Sequence, residues 1–127
     1  MKKEGYVSLW IGNSHAIEPL RDYIRVNYNE DGDSVPSNFA IDYLAPRFDP
    51  DFTEVLFHKD KSNSIRVLLN GCSYGETVIP AFEKICYKLV DSYNSVLLIY
   101  NYDYSGDVKE CLRESICLKF IGTVKYQ

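Results

Sequence analysis

Three groups of residues have types and spacings that could do chemistry, and each has an inert reading beside it. Asp49-Pro50-Asp51 with Glu54 is the densest set of carboxylates, the ligand type that hard cations take. Nuclease metal chemistry would also need an acid-x-Lys on a following strand. Asp107-x-Lys109 is remote and lies in a turn region, so solvated loop carboxylates are the commoner explanation. Cys72 with His15 or His58 could form a nucleophile–base pair, because such partners need only meet in space. No spacing brings them together, and both histidines read equally as surface or strand-edge residues. Gly71-Cys72-Ser73-Tyr74-Gly75 is flanked by glycines but lacks the lysine and the length of a phosphate-binding loop. It reads as a turn between helices.

Two further patterns point to surface recognition. The chain has eleven tyrosines, a residue favoured at protein interfaces for its wide amphipathic contact area. On an extended strand Tyr100, Tyr102 and Tyr104 would share one face, either as anchors for a partner or as caps on the core with wet hydroxyls. The acids form three groups: Glu30-Asp31-Asp33, Asp49-Asp51-Glu54 and Asp103-Asp107-Glu110. Such runs usually mark a solvated face. Gathered in space, they would make an anionic patch able to attract a cationic protein.

Composition narrows the classes. The chain has 127 residues and a formal charge of −4, with 46% hydrophobic and 25% charged residues. This fits one globular α+β domain, residues 1–127, able to bury a core. Lysine and arginine are scattered, mostly beside acids, and show no cationic footprint for nucleic acid. The longest apolar run, residues 96–100, is far short of a membrane span, and residues 1–11 lack a signal-peptide pattern. The cytoplasm is therefore the expected location. The four cysteines, without C-x-x-C spacing, read as reduced, mostly buried thiols and not as a zinc site.

These groups must be positioned by secondary structure that the periodicity outlines. Residues 6–11 read as a buried strand ended by Gly12-Asn13. Ile17, Leu20, Ile24 and Tyr28 share a helical face, with Pro19 in the first turn. Residues 29–34 form an exposed acidic loop. Residues 35–51 hold either a short helix capped near Ser37 or an irregular segment. A strand follows over 53–58, then a polar turn over 59–63. Residues 64–70 suit a short helix capped by Ser62 or Ser64 and stopped by Gly71, or a strand; the agreement of cap and glycine favours the helix. Val78, Phe82, Ile85 and Leu89 mark a helix with Thr77 available to cap it and Pro80 in its first turn. Residues 95–102 read as a strand, Ser105-Gly106 as a hairpin turn, and 116–126 as a closing strand with a bulge at Gly122. The expected architecture is a small, mostly antiparallel sheet of about four strands with helices packed on one face.

Several of these words together resemble the immunity protein 22 family of bacterial polymorphic-toxin systems. They are Val7-Ser8-Leu9-Trp10-Ile11-Gly12-Asn13, a helix ending at Tyr28, Asp51-Phe52-Thr53-Glu54, Cys72-Ser73-Tyr74 and Phe120-Ile121-Gly122-Thr123-Val124-Lys125-Tyr126. The resemblance spans nearly the whole chain, though residues 35–48 and 105–117 carry no matching word. It implies a small intracellular α+β protein that binds and neutralises a cognate toxin, often a nuclease, without catalysis or cofactor. On that reading Glu30, Asp31, Asp33, Asp49, Asp51 and Glu54 would supply charge complementarity, and Tyr102 and Tyr104 anchoring area. The free protein would be a monomer or weak homodimer without nucleic-acid or membrane partners. The competing readings are a housekeeping interaction module that dimerises along the tyrosine strand and a small metal-dependent or thiol hydrolase.

Overall fold

Six consecutive residues of the first strand, Val7 to Gly12, are buried, so both faces of that strand must be covered. The computed structural model, which describes residues 2–45 and 48–127, shows how. The elements are β1 (Lys2–Asn13), α1 (Ile17–Ile24), β2 (Asn27–Tyr28), β3 (Ser34–Val35), α2 (Asn38–Asp42), a 3-10 turn (Pro50–Phe52), β4 (Thr53–Ser64), α3 (Ile65–Leu68), α4 (Gly75–Ile85), β5 (Lys88–Tyr102), β6 (Glu110–Arg113) and β7 (Ile116–Lys125). Five strands form one antiparallel sheet in the order β4-β5-β1-β7-β6, with β1 at its centre, while β2 and β3 pair as a separate hairpin.

The α+β class and the antiparallel sheet are as expected, with two corrections to the detail. There are five strands in the main sheet rather than about four, and helices cover both faces rather than one. Alternation along β1 explains the second point. Val7, Leu9 and Ile11 pack with Ile65, Leu68, Val78 and Phe82 of α3 and α4. Trp10, on the opposite face, packs with Leu20 and Tyr23 of α1 and with Phe39 of α2.

Local chemistry sets the boundaries. α1 stops at Ile24, four residues early, because Asn27 and Tyr28 are drawn into the hairpin. There the Asn29 carboxamide accepts bonds from the Asp31 and Asp33 amides, each at 3.0 Å, a side-chain turn that competes with helix. The short helices form as expected at Ser37 and Ser64, whose hydroxyls accept the Ala40 and Val67 amides; Gly71 follows with φ +93°. α4 begins earlier than Thr77, at Gly75 behind a left-handed Tyr74, so Pro80 lies inside it, and it ends at Ile85. Residues 59–63, expected as a turn, continue the β4 edge strand with an irregular register. Ser105-Gly106 does not close a hairpin, since β5 and β6 are at different places in the sheet; the β6–β7 turn does, with Glu114 at φ +54°. The expected bulge lies beside Gly122, where Ile121 is the extra residue between the Leu9–Gly122 and Trp10–Phe120 pairs.

Two contacts lock the arrangement. At Gly12 an added Cβ would overlap the carbonyl of Cys117 on β7, so the strands can approach only around glycine. Arg113 on β6 makes two hydrogen bonds to Asp42 at the end of α2, at 2.8 and 2.9 Å, and the Tyr23 hydroxyl of α1 donates to the same carboxylate at 2.8 Å. The bond from Arg113, joined by that from Tyr23, holds the Asp42 carboxyl below the usual carboxylate range against the opposing effect of burial.

Gly12→Ala should lower unfolding free energy by about 3 kcal/mol or more, measured by urea titration. A folded-state pKa below the unfolded value of about 3.9 contributes stability above that pH, lost as pH falls through the folded value. The melting temperature of the wild type should therefore fall more steeply between about pH 5 and pH 2 than that of Arg113→Gln; parallel acid limbs would dismiss the pair.

Candidate partner-binding face

The segment between α1 and β4 adds only the β2–β3 hairpin, α2 and the 3-10 turn to the fold, and it carries most of the charge asymmetry. Residues 25–52 contain six of the eighteen acids and two of the fourteen lysines and arginines. This segment is therefore −4 and the rest of the chain neutral, so the whole negative excess resides here.

Its side chains enclose a groove of about 240 Å³, lined by Tyr28, Pro36, Ala40, Ala45, Phe48 and Pro50 among others. The hairpin forms one wall and α2 with the 3-10 turn the other. Each wall is fixed by its own local bonds. Asn29 closes the hairpin, Ser37 caps α2, and the Asp49 carboxylate accepts the Asp51 amide at 2.9 Å while Thr53 Oγ1 donates to the Pro50 carbonyl at 2.7 Å. Phe48 contacts the rings of Phe39 and Tyr102 at centroid distances of 5.8 and 6.2 Å, which ties the groove to the core. Apolar side chains also face outward along this segment: Tyr28 is 67% exposed and Leu44 79%, with Ile41 and Phe52 about half exposed.

The expected site residues divide. Glu30, Asp31 and Asp33 lie exposed on the hairpin loop, and Asp49 and Asp51 lie exposed on the 3-10 turn beside groove-lining Pro50. Those five carboxylates share the elements that wall the groove. Glu54 does not join them. Its carboxylate accepts bonds from the Ser73 amide, the Ser73 hydroxyl and the Tyr100 hydroxyl, at 2.9, 3.1 and 2.9 Å, and Tyr100 belongs to the α3–α4 core. This pins the α3–α4 loop to the sheet. Asp103 pairs with Lys3 at 3.7 Å, and Asp103, Asp107 and Glu110 do not line the groove.

Tyr102 and Tyr104 are a correction. They are 2% and 3% exposed and offer no area to a partner. Asn101 explains it: in a left-handed conformation, φ +56°, it breaks the alternation of β5. Tyr100 therefore enters the α3–α4 core while Tyr102 and Tyr104 enter the α1–α2 core. The Asn101 side-chain oxygen accepts bonds from the Gly5 amide and the Tyr126 hydroxyl, at 3.0 and 2.8 Å. Burial pushes the Tyr102 phenol up to about 12. The Tyr104 hydroxyl donates to the Val108 carbonyl at 2.7 Å.

The hydrolase geometries are not assembled. Cys72 is buried, and burial, aided by Glu54, raises its thiol to about 11, which keeps it protonated at neutral pH. His58 hydrogen-bonds the Leu68 carbonyl at 2.7 Å, and His15 the Ser115 hydroxyl at 3.1 Å. Among the described residues no three His, Cys, Asp or Glu side chains are grouped to hold a metal ion, and no helix is long and apolar enough to cross a membrane.

If Tyr102 is core and not interface, Tyr102→Ala should cost about 3 kcal/mol of stability, read by chemical denaturation. A loss under about 1 kcal/mol would contradict its burial.

Searches of curated proteins and of solved structures found no match to this chain. Residues 7–127, however, match the family described as Immunity protein 22. That span includes the Trp10 strand, the acidic segment and the closing strand alike, and the chain belongs to this family.

Proposed function

We propose that this protein neutralises a cognate bacterial toxin domain, a nuclease with a cationic surface, by binding it non-covalently in the cytoplasm of the producing cell. No bond is made or broken in the process, and no cofactor takes part. The observation that carries this reading is the confinement of the negative excess to one groove-bearing segment of a chain in an immunity-protein family. Nucleases need positive charge to hold phosphate, and an anionic face complements that surface directly.

A standard interface buries roughly 800 Å² on each partner, a small share of the 7248 Å² surface of this protein. Glu30, Asp31, Asp33, Asp49 and Asp51 would act chiefly on the rate of encounter, because exposed charges contribute little to the strength of the formed complex. Tyr28, Ile41, Leu44 and Phe52 would supply the apolar contact that holds it.

Binding of the inactivated toxin domain encoded beside this gene tests the reading. Lysine at positions 30, 31 and 33 should slow association about tenfold or more at low salt, flatten its dependence on ionic strength, and leave dissociation nearly unchanged. An unchanged association rate would take the hairpin carboxylates off the interface. A wild-type protein with no affinity for that domain would end the proposal.

A further inference from the structure

We infer that the groove between the hairpin and α2 is an anchor socket for one apolar side chain, of leucine to tryptophan size, presented between lysine or arginine residues on a protein partner. The inference rests on the toxin-binding reading above and gives it a contact chemistry.

Size, lining, rigidity and charge carry it. The volume of about 240 Å³ exceeds the roughly 150 Å³ that suffices for a benzene ring in a protein cavity. Tyr28, Pro36, Ala40, Ala45, Phe48 and Pro50 make the lining mostly apolar, with Ser34 and Ser37 beside them. The walls are set before any partner arrives. Pro36 and Pro50 have restricted backbones, Ser37 caps α2, Asn29 closes the hairpin, and Phe48 is held by Phe39 and Tyr102. A preformed pocket spares a binding partner the cost of ordering it, and such pockets are where anchor residues concentrate affinity. The exposed Glu30, Asp31 and Asp33 belong to the hairpin and Asp49 and Asp51 to the 3-10 turn, the elements whose other residues line the groove. An apolar group entering between them is therefore favoured when cations flank it. A second copy of this chain is a poor occupant, since it would bring its own −4 segment against this one.

Two measurements test the socket. In methyl NMR, acetyl-Lys-Phe-Lys-amide should shift the Ala40 and Ala45 methyl signals saturably, at concentrations where acetyl-Lys-Ala-Lys-amide has less than a tenth of the effect. In a kinetic binding assay with the inactivated toxin domain, Ala40→Phe should fill the groove and speed dissociation about 30-fold, with the melting temperature nearly retained. Should Ala40→Phe fail to fold, Tyr28→Ala removes an exposed wall instead and should speed dissociation about tenfold. Wild-type dissociation in a folded variant, or equal methyl shifts with the two peptides, would overturn the inference. So would concentration-dependent dimerisation that Ala40→Phe abolishes, which would give the groove to a second copy. A protein that discriminates between the peptides yet ignores the toxin domain would retain the socket and lose the toxin reading.

Discussion

The structure depends on the packing of one indole. Trp10 is on the central strand, fully buried, and its ring meets those of Phe39, Tyr104, Phe120 and Tyr43 at centroid distances of 4.9, 5.4, 5.2 and 6.0 Å. These partners come from α2 and its C-cap, the segment after β5, and β7. The Trp10–Phe39 contact is edge-to-face at 86°, the geometry that aromatic quadrupoles favour. The indole nitrogen is buried with no hydrogen-bond partner among the described residues; around it are aromatic rings, weak acceptors at best. The groove inherits its position from this cluster. Phe39 bears on Trp10, Phe48 bears on Phe39, and Phe48 lines the groove. A polar, acidic segment of few hydrogen-bonded elements is thus held in place by a short chain of rings reaching to the middle of the sheet.

Much of this architecture was legible in residue order because the signals were local and mutually consistent. The run around Trp10 is apolar on both faces but for Ser8, which marks a buried strand. Ser37, Ser64 and Gly71 announced short helices by capping chemistry alone. What failed to show was non-local. The early end of α1 depends on the Asn29 side chain folding back on its own loop, and the continuation of β4 through residues 59–63 depends on pairing with β5, whose partner residues are thirty or more positions away. The helices on both faces were implicit in the two-sided burial of β1, but a strand pattern does not say where its covering elements come from.

The candidate face was half legible. The carboxylates of the hairpin and the 3-10 turn were evident as groups, and their segment remains exposed. The apolar groove between them was not, because Tyr28, Ala40 and Phe48 share no periodicity and meet only when hairpin and helix close together. The tyrosines misled for a specific reason. Period-two counting places Tyr100, Tyr102 and Tyr104 on one face, and a single left-handed residue, Asn101, moves the last two across the sheet. Asparagine is among the few non-glycine residues that adopt this conformation readily, so its identity was the available signal.

The uneven placement of charge has a consequence for diffusion. A body that is −4 over one contiguous segment and neutral elsewhere has a permanent dipole moment as well as a net charge. In the field of a cationic molecule such a dipole experiences a torque, strongest within the Debye length of about 8 Å at physiological ionic strength. The protein would rotate its loaded end forward before the surfaces touch, and fewer collisions would be spent on unproductive orientations.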